Sequence, residues 1–90
     1  MKDLKLVLKK KWFDMIASGE KKEEYRDVKP YYSSRIQDRP TIVTFYLGYA
    51  KGRPSMTFEI EIIIIGSGRH DWGAEPGRLY YVIRLGRRLR

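Results

Sequence analysis

Lys21, Glu24 and Arg26 put two cations on either side of a carboxylate within six residues. Such a set supports several kinds of chemistry. The cations can meet a phosphate or a base edge, and the carboxylate can orient the arginine or accept from a base amino group. A lysine whose ammonium pKa falls becomes a base or a nucleophile. Neighbouring lysines lower that pKa while Glu20, Glu23 and Glu24 raise it, and the sequence leaves the balance open. A strand over 22–28 places Glu24 and Arg26 on one face and Glu23, Tyr25 and Asp27 on the other. Lys21 has the opposite parity, so it joins Glu24 and Arg26 only if the turn from Gly19 to Lys22 redirects it. Gly19 suits that turn, because it can adopt the left-handed conformation that closes a helix. A plainer reading also stands, in which a charged strand is a solvated edge that discourages aggregation.

The preceding residues supply the element that positions this segment. From 10 to 18, Trp12, Met15 and Ile16 fall at i, i+3 and i+4, with Phe13 and Ala17 widening the stripe, as in a short helix packed on a sheet. Trp12-Phe13-Asp14-Met15-Ile16 followed by Gly-x-Lys-x-x-Glu-x-Arg, filled by Gly19, Lys21, Glu24 and Arg26, resembles the signature of the ASCH domain, a small PUA-like β-barrel family linked to RNA. With the strand pattern, the likeness extends over nearly the whole chain, and its specific part is residues 12 to 26. It implies a small PUA-like barrel with a cleft at the helix-strand junction, lined by Lys21, Glu24 and Arg26, with Trp12 and Gly19 as structural positions. It further implies RNA as the ligand. Some small ASCH-like bacterial proteins are amidohydrolases acting on acylated cytidine through a lysine, a threonine and a glutamate, and others are described as ribonucleases. The resemblance therefore implies an alternative in which Lys21 and Glu24 are catalytic. Lys21 matches the lysine, Glu24 stands where the threonine would fall, and Glu59 or Glu61 is left for the remaining carboxylate.

Ninety residues suffice for one small domain, spanning 1–90, with a single core. A net charge of +8 favours a polyanionic partner, and it concentrates in Lys9 to Lys11 and in Arg84, Arg87, Arg88 and Arg90. RNA, single-stranded or structured, is the first expectation and DNA the second. Having no cysteine, the chain lacks disulfides, thiolate nucleophiles and zinc-thiolate sites, and fits a cytoplasmic setting. The longest apolar run, Ile60 to Ile65, is interrupted by Glu61 and too short for a membrane helix. His70 is the sole histidine and has no nucleophile motif or second ligand beside it, so no metal or cofactor is expected. The glycine-rich segment 66–73 lacks the spacing of a nucleotide cradle. A monomer is expected.

The remaining candidate contacts lie outside the signature. Lys10 and Lys11 sit at a helix start, where free amides and lysines suit a phosphate and a solvated lysine cluster is the equal alternative. Pro30 opens a short helical turn carrying Tyr31, Tyr32 and Arg35. Tyr31 and Tyr32 can stack an unpaired base while Arg35 meets phosphate, or one tyrosine packs inward and the other covers the barrel end. Lys51 and Arg53 occupy a hairpin loop free to reach a ligand. Strand patterns cover 3–8, 22–28, 41–47, 56–65 and 79–85, with Met56, Phe58, Ile60, Ile62 and Ile64 inward on the fourth and Leu79, Tyr81, Ile83 and Leu85 inward on the fifth. Ile63 and Ile65 share the outer face of the fourth strand with Glu59 and Glu61, and need a cover such as the first helix. Five strands with one clear helix and one helical turn give an α+β domain whose mixed or antiparallel sheet curls into a small barrel. The arginine-rich end is read either as disordered until it meets a polyanion or as a solubilising tail.

Overall fold

Alternation in Asp3–Leu8 buries Leu4, Leu6 and Leu8, and this strand, β1, begins the fold. The computed structural model describes residues 2–90. After β1 come α1 (Lys10–Ala17), β2 (Glu23–Asp27), α2 (Pro30–Gln37), β3 (Ile42–Leu47), β4 (Ser55–Gly66) and β5 (Tyr80–Arg88), with a 3-10 turn at His70–Trp72 before β5. The five strands form one sheet in the order β1-β3-β4-β5-β2. β1 runs parallel to β3 and every other pair is antiparallel, so the sheet is mixed and the domain α+β, curled into a half-barrel.

Curling brings the two edges, β1 and β2, within side-chain reach. Arg26 of β2 donates from Nη2 to the Val7 carbonyl of β1 at 2.9 Å, crossing the seam without a backbone ladder. Inside the curl, Leu4, Leu6 and Leu8 meet Ile16, Val43, Phe45, Met56, Phe58 and Ile83. A second, smaller cluster of Tyr25, Ala74, Tyr80 and Val82 lies under the segment between β4 and β5. Gly68 permits that cover: a Cβ there would lie 2.6 Å from the Tyr25 ring and 2.7 Å from the Ala74 methyl.

Two alternation readings are corrected. The register of β4 against β5 shifts between Phe58 and Ile60 and again between Ile60 and Ile62, so the face of the strand changes along its length. Ile63 packs against the core, whereas Ile62, Ile64 and Ile65 are exposed, and α1 does not cover the outer isoleucines. On β5, Leu79 lies outside the strand and is exposed, and both faces from Tyr80 to Ile83 are covered because the two clusters flank the sheet there. The chain's last residues are ordered against β4. Leu89 and Arg90 donate to the Thr57 carbonyl at 2.7 and 3.2 Å, and Thr57 donates to the Arg90 carbonyl at 3.0 Å.

Candidate functional site

The segment from α1 to β2 folds so that its charges turn inward. Gly19 has φ +85°, and its amide donates to the Ile16 carbonyl while the Lys21 amide donates to Met15 at 3.0 Å. This tight reversal overrides the strand parity and swings Lys21 to the side occupied by Glu24 and Arg26. Lys21 Nζ lies 3.0 Å from Glu24 Oε1, and Arg26 donates to Glu24 Oε2 from Nη2 at 2.6 Å and Nε at 3.1 Å. Lys21 is 2% exposed and Glu24 6%.

Charges so deeply placed require partners, because unpaired they would cost several kcal/mol. Each charged nitrogen and oxygen has at least one. Lys21 Nζ donates to the Trp72 carbonyl at 2.7 Å and lies 5.3 Å from the Trp12 ring and 4.8 Å from the Tyr25 ring. Arg26 adds the Tyr32 hydroxyl at 3.2 Å to its bonds with Glu24 and Val7. Among the described residues no buried side-chain nitrogen or oxygen lacks a partner. Burial draws the Lys21 ammonium below its ordinary pKa, with the carboxylate of Glu24 opposing. Burial also disfavours the Arg26 guanidinium, but Glu24 and Tyr32 outweigh it and hold its pKa above the ordinary value. Tyr25, behind Lys21, is pushed up to about 12 by burial; its hydroxyl donates to Glu23 at 2.9 Å and accepts from the Arg69 amide at 3.0 Å.

These contacts tie α1, β1, β2, α2 and the 3-10 turn together through three side chains. The turn's part was hidden in sequence, since Trp72 contributes a carbonyl rather than a side chain. Trp12 packs against the core and its ring faces both Lys21 and Lys11.

The other anticipated contacts separate into two places. Gly48 donates to the Leu8 carbonyl, which sets the β3–β4 loop beside the start of α1. Lys10, Lys11, Lys51 and Arg53 therefore belong to one end of β1. Lys10 pairs with Asp14, and Arg53 donates to the Gly48 carbonyl and lies over the Tyr46 ring, leaving Lys11 and Lys51 without a carboxylate partner among the described residues. At the other end α2 is a full two-turn helix. Tyr32 points inward to Arg26, while Tyr31 is 57% exposed with the Arg35 guanidinium stacked 3.7 Å from its ring centre. Beside Tyr31 and Arg35 stand Lys2 and Lys5 of the β1 region, around a cleft of about 610 Å³. Sequence reading missed Lys2 and Lys5. Lys5 carried a signal, as the outward residue between Leu4 and Leu6.

Glu59 pairs with Arg87 at 2.9 Å and Glu61 is exposed, and neither carboxylate bonds to Lys21. His70 directs Nδ1 to the Ala74 carbonyl, and Asp71 pairs with Arg69. Among the described residues no group of three His, Asp or Glu could hold a metal ion, and no helix is long and apolar enough to cross a membrane. Compared with known proteins, the chain matches no family model, no curated protein and no solved structure.

Proposed function

We propose that this chain is an RNA-binding domain of ASCH type in which the buried signature is the frame and the exposed cations are the contacts. The observation that carries the reading is how the charges are distributed. Asp14, Asp27, Asp71, Glu23, Glu24, Glu59 and Glu75 each face a lysine or arginine within 3.4 Å. Among the described residues, Lys5, Lys11, Lys22, Arg35, Arg39 and Lys51 have no carboxylate in ion-pair range. The surplus behind the +8 charge is thus solvent-facing and available to phosphates, where counterion release drives association. The signature likeness to ASCH proteins and the half-barrel support RNA over other polyanions.

A hydrolase acting on acylated cytidine, or a ribonuclease, is the second reading, and the lowered pKa of Lys21 favours it. Against it, the Lys21 side chain is 1% exposed and its ammonium already donates to Trp72 and faces Glu24. A substrate would have to displace the 3-10 turn to reach it.

Fluorescence titration of single-stranded RNA, duplex RNA and single-stranded DNA over a range of salt concentrations tests the proposal. Binding should weaken with a log-log slope of about −0.7 for each phosphate contacted on a single strand. Absent or salt-independent binding, or turnover of acylated cytidine abolished by Lys21→Ala, would replace RNA binding with the second reading or with neither.

A further inference from the structure

The seam between β1 and β2 is closed at one end only. On β1 the carbonyls of Lys2 and Leu8 accept from Thr41, Ile42 and Gly48, on the β3 side. Alternation then turns the backbone amides and carbonyls of Asp3, Lys5 and Val7 to the opposite side. Arg26 takes the Val7 carbonyl. Those of Asp3 and Lys5 have no partner among the described residues and edge the cleft whose far wall is α2.

That cleft combines three features. One is an exposed ring with a guanidinium stacked on it, Tyr31 and Arg35, held also by the bond from Arg35 Nη1 to the Tyr31 carbonyl at 2.7 Å. Another is the free backbone edge. The third is a pair of lysines, Lys2 and Lys5. The cleft also holds two carboxylates: Asp3 accepts from the Thr44 hydroxyl at 2.9 Å, and the exposed Asp38 lies 4.0 Å from Lys2, so the cations Lys2, Lys5 and Arg35 outnumber the carboxylates by one. A volume of about 610 Å³ is within the usual range of small-ligand sites, about 300–1,000 Å³.

An added peptide strand is disfavoured by length. Only Asp3 to Lys5 is open, about 7 Å of strand at roughly 3.3 Å per residue, before Arg26 blocks the edge at Val7. A peptide needs a longer ladder than this. One base edge, with its adjacent donors and acceptors, does not.

We infer that the β1–α2 cleft receives one unstacked base of single-stranded RNA. The base stacks on the Tyr31–Arg35 platform, its hydrogen-bonding edge meets the Asp3 and Lys5 backbone, and its flanking phosphate lies by Lys5, the lysine of the cleft with no carboxylate in ion-pair range. The inference rests on the RNA-binding reading and adds the site and the strandedness. Stacking an unpaired base is sequence-tolerant, whereas a duplex keeps its bases out of reach.

The test is an amide-resolved NMR titration of the whole chain with a short single-stranded RNA, with an abasic ribose-phosphate oligomer of the same length, and with a nucleoside monophosphate. RNA should shift the Asp3 and Lys5 amides saturably, and the abasic oligomer should not. Tyr31→Ala should weaken RNA affinity about tenfold and Tyr31→Phe less than about twofold. RNA binding with the same shifts from the abasic oligomer, or with affinity unchanged in Tyr31→Ala, overturns the base site and leaves RNA binding standing. Equal saturation by the monophosphate overturns RNA as its ligand, and the absence of any RNA binding at low salt overturns both.

Discussion

Lys21 and Arg26 lie in an interior where their ammonium and guanidinium groups are enclosed by Glu24, Trp72, Tyr32 and Val7, whereas Lys5 and Arg35 border an open cleft with no carboxylate in ion-pair range. The same residue types therefore do opposite work in one small chain. A cation enclosed by acceptors holds the fold, and a cation left unpaired on the surface can engage a ligand. The signature's charge is the more conspicuous in sequence, yet the exposed set is the one a polyanion can reach.

The difference can be broken most severely at Glu24. Glu24→Ala leaves two cations enclosed without their shared anion and should cost about 3–5 kcal/mol, read by urea denaturation. Lys21→Met should cost less, because Glu24 keeps its two bonds from Arg26 and the methionine fills similar space. An equal loss in both would contradict the shared-anion account.

The neighbouring cover of the triad offers a second, smaller perturbation. Gly68→Ala drives a methyl into the Tyr25 ring and Ala74 and should cost about 1–3 kcal/mol by the same measurement. Stability unchanged by this substitution would show that the segment before the 3-10 turn is not packed as described.

Most graded is the alkaline response. Tyr25 has its folded pKa raised from 10.0 to about 12, so the folded chain holds that proton more tightly than the unfolded chain. Its contribution is complete below pH 10.0 and is lost as pH rises through about 12. Stability should therefore fall more steeply across that window in the wild type than in Tyr25→Phe, measured by denaturation at a series of pH values. Parallel curves would remove Tyr25 from the buried network.

The strands β1 and β3 and the first helix were legible because their apolar, β-branched or aromatic residues recur at strand or helix spacing, whereas β2, with Tyr25 as its one apolar residue, was legible only as an extended charged segment after the Gly19 turn. Alternation failed on β4, where the register shifts twice, and on β5, where packing against two clusters removes the polar face that a periodicity needs. The meeting of Lys21 with Glu24 and Arg26 was legible only as a condition on the Gly19 turn. What closes the site was not legible, since the Trp72 and Val7 partners are backbone carbonyls from distant segments. For the same reason the cleft beside β1 was hidden: its edge groups belong to every residue type, and only the sheet order exposes them.

The most direct test of the division between frame and contact is a paired comparison of Lys21→Met and Arg35→Ala, each measured for unfolding free energy and for affinity to single-stranded RNA at a temperature where both are folded. The account predicts that Lys21→Met loses stability and keeps its RNA affinity within about twofold, while Arg35→Ala stays within about 0.5 kcal/mol of the wild type in stability and binds RNA more weakly. A folded Lys21→Met protein that no longer binds RNA, beside an Arg35→Ala protein that binds as the wild type does, would place the ligand on the buried signature and contradict the account.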